Sequence, residues 1–240
     1  MTGAATRDAD GPRIAVLDYG IGNLRSAEKA LQHVGAAARL VADPAVVEAA
    51  DAVVLPGVGA FGACARALRE SGLEPVARAA IAAGVPFLAV CIGFQLLYEG
   101  SDESPGSDGL GVFAGTSAPL APTVKHPQMQ WNQLVACGSG SGPAAAAAAP
   151  LHGLGERPWV YFVHSFAPPV GPETVAVCDY GGPVAALVAR GNLWGAQFHP
   201  EKSGRSGLGL LANFVALAAG PADGLANGLA DGPAADPAAA

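Results

Sequence analysis

Along the first hundred positions, short unbroken apolar runs alternate with segments whose apolar residues lie three or four apart. The runs Arg13–Asp18, Ala38–Val41, Ala52–Leu55 and Pro86–Val90 predict strands covered on both faces, since such a strand has no solvent side to mark with polar residues. The spacing of Leu24, Ala27, Leu31 and Val34 predicts a helix over Asn23–Val34, stopped by Gly35. Ala45–Ala50, Ala63–Glu70, Glu74–Ala83 and Gly93–Tyr98 read as helices as well. Strands alternating with helices predict an α/β fold with a doubly wound, mainly parallel sheet and flanking helices. The second half is richer in strands: Gly111–Leu120, Gln133–Ala136, Trp159–Ala167, Thr174–Cys178, Val184–Arg190 and Leu193–Phe198, with antiparallel pairing open to several of them. A closing helix, Ser206–Ala219, presents Leu208, Leu211, Phe214, Val215 and Leu217.

Composition narrows the class. The chain has 240 residues, 51% hydrophobic and 14% charged, which suits one domain of about 200 residues with trimmings. The trimmings are visible: residues 1–12 and 220–240 read as disordered tails, and 137–150, with its six-alanine run, as a surface loop inserted in a 13–219 domain. A net charge of −7 with 13 Lys+Arg lacks the basic footprint of a nucleic-acid binder. No apolar run reaches the roughly 18–20 residues of a membrane span, and Met1–Gly11 has no apolar core of a secretory signal, so a cytoplasmic protein is expected. The four cysteines, Cys64, Cys91, Cys137 and Cys178, form no close pair, which speaks against a disulfide scaffold and a cysteine-rich zinc site. No metal site or organic cofactor is indicated.

Chemistry gathers at three places. Cys91 directly follows a buried strand and precedes a helix, with Ala89 and Gly93 as small neighbours. Such a sharp turn lifts a nucleophile above the sheet edge, at a helix N-terminus whose free N–H groups favour negative charge. His199 closes the last strand, and Glu201, two residues on, can fold back against the imidazole and fix its tautomer. Pro56–Phe61 (PGVGAF) follows the third strand, and its glycines let backbone N–H groups turn towards an oxyanion. Each has a plainer reading: a small core cysteine, an isolated His-x-Glu, a tight turn. Together they make a nucleophile, a base, an orienting carboxylate and an oxyanion site.

CIGFQLL (Cys91–Leu97), HPE (His199–Glu201) and PGVGAFG (Pro56–Gly62) resemble the class I, triad-type glutamine amidotransferases. DYGIGNLRS (Asp18–Ser26), Trp131-Asn132, YFVHSF (Tyr161–Phe166) and QFHPEKSG (Gln197–Gly204) are similar to the glutaminase subunits of imidazole glycerol phosphate synthase, from histidine biosynthesis. The resemblance covers about residues 13–219 and makes this stretch an amidotransferase domain. It implies that Cys91 attacks the glutamine side-chain amide through a thioester, that His199 shuttles the proton and that Glu201 orients it. It implies that Gly57, Val58 and Gly59 with the Ile92 N–H form the oxyanion hole, and that Gln95 contacts bound glutamine. It also implies a (β/α)₈-barrel cyclase as heterodimer partner, which takes the ammonia and makes imidazole glycerol phosphate and aminoimidazole carboxamide ribotide. Asn23, Trp131 and Lys202 lie in motifs that face that partner; their plainer readings are a helix cap, core packing and a solvated charge. A paralogous triad glutaminase serving another ammonia acceptor is the alternative, and a catalytically dead homologue is the non-enzyme reading.

Two places depart from the family pattern. Pro127–Asn132 reads PQMQWN, so Gln128 stands where a His is common and Gln130 where a Gly is common, which is expected to bear on docking. Ala89 stands where a Gly is common before the nucleophile. His164 is expected to point into a polar pocket or the interface, bonded to backbone. His33, His126 and His152 sit in surface-like contexts, and Cys64, Cys137 and Cys178 read as inert.

Overall fold

The computed structural model describes residues 11–137 and 149–220. The expected tails therefore lie outside the described residues except for positions 11, 12 and 220, and so does most of the 137–150 loop. Chain order runs β1 (Arg13–Leu17), α1 (Leu24–His33), β2 (Ala37–Val41), α2 (Pro44–Glu48), β3 (Ala52–Gly57), α3 (Phe61–Glu70), α4 (Leu73–Ala82), β4 (Phe87–Cys91) and α5 (Ile92–Gln95). Then follow β5 (Gly100–Ser101), β6 (Thr116–Pro119), β7 (Gln128–Gln133), β8 (Val135–Ala136), β9 (Trp159–His164), β10 (Phe166–Ala167), β11 (Thr174–Asp179), β12 (Pro183–Arg190), β13 (Leu193–Ala196) and α6 (Gly204–Ala219).

One eight-stranded sheet carries the fold, in the order β2-β1-β3-β4-β13-β12-β11-β8. Pairings from β2 through β13 are parallel, and those of β12 with β13, β11 with β12 and β8 with β11 are antiparallel. The unbroken apolar runs are the central strands: every residue of β3, β4 and β13 is buried. Helices cover both faces; α1 buries Ala27 and Leu31 of its expected stripe, and α6 buries Leu211, Phe214 and Val215 as expected but Leu210 as well, while Leu208 and Leu217 are half-buried. Trp194 on β13 packs its ring against Phe214 at 5.7 Å. Burying side chains of this size contributes roughly 1.5–3 kcal/mol each relative to exposure. Among the described residues, no helix is long and apolar enough to cross a membrane.

The strand expected over Leu193–Phe198 ends at Ala196 and the helix expected over Ala45–Ala50 ends at Glu48; two further elements are cut short together, for one reason. The helix expected over Gly93–Tyr98 ends at Gln95, and the strand expected over Gly111–Leu120 begins only at Thr116. Residues 110–113 instead wrap around the end of α5, where the N–H groups of Leu110, Gly111 and Val112 donate to the carbonyls of Leu96, Tyr98 and Leu97. Leu110 and Phe113 are apolar because they cap this buried corner. β7 escaped the sequence pattern altogether. Its residues QMQWNQ place the two apolar side chains, Met129 and Trp131, in solvent and bury Gln128, and the strand is made by full antiparallel pairing with β9, from Gln128 opposite His164 to Gln133 opposite Trp159.

Candidate active site

Cys91 ends β4 and begins α5, at φ 56 and ψ −111. Among the described residues it is the one non-glycine residue at positive φ. Such a backbone costs of order 1–3 kcal/mol and persists only where its surroundings hold it. They hold it by close backbone approach. Gly57, paired with Cys91 across β3 and β4, has the Gly93 nitrogen 2.6 Å from where a Cβ would stand, and a Cβ on Gly93 would run into the Leu55 carbonyl. The small residues around the cysteine therefore serve a backbone-on-backbone contact that fixes the turn. Ala89, in place of the commoner Gly, is buried in β4 opposite Gly195 without disturbing the ladder.

His199 and Glu201 arrive from the other side of β4, just past β13. His199 Nδ1 donates to Glu201 Oε1 at 2.8 Å, and both side chains are almost fully buried, at 2% and 5% exposure. The carboxylate can only accept, so it holds the Nδ1 proton and leaves the second ring nitrogen for the cavity that Cys91 also lines. Burial works against a charged ring, but the bonds to Cys91 and Glu201 and their negative charge outweigh it and raise the His199 pKa to about 10. The residue's mount is equally defined: its N–H donates to the Tyr161 carbonyl at 3.0 Å, and Ser203 Oγ donates to its carbonyl at 2.6 Å.

These groups open onto a cavity of about 570 Å3. Val58, Gly59, Ile92 and Gln95 of the expected oxyanion and substrate residues line it beside the nucleophile and base, as do Asn23 and Lys202, whereas Gly57 is buried in β3 behind the turn and does not line it. Gly59 has φ +86, a conformation that suits glycine and sets the loop between β3 and α3. Gln95 Nε2 donates to the Phe166 carbonyl at 2.9 Å and to Gln197 Oε1 at 3.1 Å, and Gln197 Nε2 reaches Cys91 Sγ at 3.9 Å. Gln95 Oε1 is buried without a hydrogen-bond partner. His164 donates from Nδ1 to the Phe166 carbonyl at 2.9 Å, and burial is the main cause that lowers its pKa to about 4. It lines the cavity as a neutral ring bonded to backbone.

The three residues expected at a partner surface divide. Trp131 is 48% exposed, beside Met129 at 63%, and stands edge-on to Tyr161 with ring centroids 6.1 Å apart. Core packing is thereby corrected for Trp131. Asn23 sits at the N-cap of α1, yet its Oδ1 accepts from Ser26 Oγ at 2.9 Å and caps no backbone N–H. Lys202 is exposed at the cavity rim. The two glutamines of PQMQWN point different ways. Gln130 is exposed and takes no positive φ, so the missing glycine costs nothing in backbone. Gln128 is fully buried, with its amide on the Cys178 thiol at 3.7 Å, and so is no surface residue. Cys64 and Cys178 are buried and Cys137 is exposed; His33, His126 and His152 are exposed.

Glu103 and Gln197 carry no role in the sequence reading. Gln197 stands two residues before His199, in a bend past the end of β13, and its amide reaches Cys91 Sγ; its nearness to the base in sequence is a signal that could have found it. Glu103 lines the cavity from an irregular segment and caps α3 by accepting from the Phe61 N–H at 2.8 Å. No local pattern announces it.

Geometrically, the site is a buried thiol on a strained turn, with a carboxylate-oriented imidazole and a glycine loop beside it. That arrangement suits attack on an amide carbon with an anionic tetrahedral intermediate. Comparison with known proteins agrees. The glutamine amidotransferase class-I family profile matches residues 15–218. The chain is 49% identical over 212 residues to the imidazole glycerol phosphate synthase subunit HisH of Thermosynechococcus vestitus, covering 86% of this chain and 97% of that one. It is 46% identical over 207 residues to the subunit of the same name from Deinococcus radiodurans, covering 85% and 93%. Among solved structures, a glutamine amidotransferase crystal structure aligns with TM-score 0.66 at 22% identity, covering 85% of this chain and 98% of that one, which supports the fold.

Proposed function

This chain belongs to the class I glutamine amidotransferases, among the HisH subunits of imidazole glycerol phosphate synthase, and from that premise we propose that it hydrolyses glutamine at Cys91 and hands the ammonia to a cyclase subunit. The proton shared by Cys91 and His199 rests on the imidazole, and the sulfur attacks the carboxamide carbon of glutamine. The resulting oxyanion takes N–H donors from the Gly57–Gly59 loop and from Ile92. His199 returns the proton to the leaving nitrogen, and ammonia departs from a thioester. Water, losing a proton to His199, then cleaves the thioester and frees glutamate. Glu201 holds the ring in the tautomer that both steps use. Gln95, with its unpartnered oxygen, binds the substrate.

The partner in this proposal is the (β/α)₈-barrel cyclase of histidine biosynthesis, in a heterodimer, and the work is cytoplasmic. Support for the docking side comes from the exposed Met129 and Trp131 and from Asn23 and Lys202 at the cavity rim. The observation that carries the reading is the convergence of Cys91 at φ 56 and the 2.8 Å His199–Glu201 pair on one cavity. Replacing Cys91 by Ala or Ser is expected to abolish glutamine-dependent synthesis by the complex while ammonia-dependent synthesis persists. Loss of both activities would overturn the division of labour.

A further inference from the structure

The loop that passes Cys91 is held by side chains outside the triad. At its start, the Tyr19 hydroxyl donates to the Pro56 carbonyl at 2.5 Å. At its end, Glu103 and Ser104 accept from the N–H groups of Phe61 and Gly62 at 2.8 Å and 3.1 Å. In its middle, the Cys64 thiol donates to the Val58 carbonyl at 3.2 Å. Cys64 sits one turn into α3 with no exposed surface.

The middle contact bears on the chemistry. A peptide unit is planar and trans, so a Val58 carbonyl turned to Cys64 sends the following Gly59 N–H the opposite way. Val58 and Gly59 line the cavity beside Cys91. A carbonyl oxygen turned into that space would set partial negative charge where the tetrahedral oxyanion forms, whereas an N–H there stabilises it. Glycine at 59, with φ +86, offers little resistance to rotation of this peptide. The orientation must therefore come from a bond made by another residue.

We propose that Cys64 is a positioning residue for glutamine hydrolysis: its thiol holds the Val58 carbonyl out of the cavity and so keeps the Gly59 N–H free for the oxyanion. The role rests on the glutaminase reading above. It acts on the transition state and leaves substrate binding alone, so it predicts a change in kcat without one in KM.

The test uses the complex with its cyclase and ribonucleotide ligand, comparing wild type, Cys64→Ala, Cys64→Val and Cys64→Ser. Removing an oxyanion donor outright costs about 10²–10³ in kcat, so loosening one is expected to cost about ten-fold or more in Cys64→Ala. KM for glutamine should stay within about two-fold, and ammonia-dependent synthesis should be unchanged. Cys64→Val, apolar and larger than alanine, should repeat the loss, which separates the missing donor from a packing void. Cys64→Ser restores a donor and should stay within about three-fold of wild type. A wild-type kcat in Cys64→Ala and Cys64→Val, a serine variant as impaired as alanine, or a rise in KM alone would overturn the role. A wild-type complex that releases no glutamate would overturn the glutaminase reading, and the role of Cys64 with it.

Discussion

At the scale of single residues, two buried histidines on the same cavity are tuned in opposite directions. Hydrogen bonds and charge from Cys91 and Glu201 raise the His199 pKa to about 10 despite burial, while burial lowers that of His164 to about 4. Each shift ties stability to pH. His199 binds its proton more tightly folded than unfolded, so its contribution is full below about pH 6.5 and is lost as pH rises through about 10. His164 holds its proton less tightly folded than unfolded. Its contribution is present above about pH 6.5 and is lost as pH falls through about 4. Thermal midpoints measured from pH 4 to 10 should therefore fall on both limbs. Glu201→Gln should flatten the alkaline limb, and His164→Asn the acid one. A Glu201→Gln variant with an unchanged alkaline limb would contradict the account of His199.

At the scale of elements, the nucleophile turn depends on β3 and α5 touching backbone to backbone through Gly57 and Gly93. Gly93→Ala places a methyl group on the Leu55 carbonyl. Overpacking of this kind costs about 1–3 kcal/mol, equivalent to a fall of about 2–12 °C in Tm for a domain of this size. Glutamine turnover should fall further than stability does, because α5 starts at the residue after Cys91. A differential scan and a glutaminase assay on the same preparation check this; wild-type values in both would remove the contact from the account.

The same scale shows what the amino-acid pattern discloses. The central strands, α1, α3, α4 and α6 were readable because each buries a continuous run or a stripe. Cys91 was readable because it ends a buried strand between small neighbours, and His199 and Glu201 because a base and a carboxylate stand two residues apart just past the last strand. What stayed hidden depends on distant partners. β7 exists through β9, the end of α5 is set by residues 110–113, and Glu103 reaches the site through a cap on α3. The inward turn of Gln128 follows from the buried Cys178 that it meets, fifty positions on.

At the scale of the whole molecule, triad, glycine loop and exposed aromatic residues adjoin one another. Trp131 on β7 stacks edge-on with Tyr161 on β9, whose carbonyl takes the His199 N–H. A partner seated on Trp131 would thus press on the strand that mounts the base. Trp131→Ala is expected to weaken the complex with the cyclase by about 2 kcal/mol or more, roughly thirty-fold in Kd, as central aromatic anchors do. The isolated chain should keep its Tm within about 2 °C, since half of that side chain is already in solvent. Titration calorimetry beside a thermal scan separates these outcomes, and an unchanged Kd would take Trp131 out of the interface.

The central claim is that Cys91 hydrolyses glutamine under the control of a partner subunit. Its most direct measurement is glutamate release by this chain alone, then with the cyclase and its ribonucleotide ligand, in wild type and in Cys91→Ala. The account predicts slow release alone, strong stimulation in the liganded complex, and loss of at least about 10³-fold in the variant. Full activity without the partner, or release that survives the loss of Cys91, would contradict it.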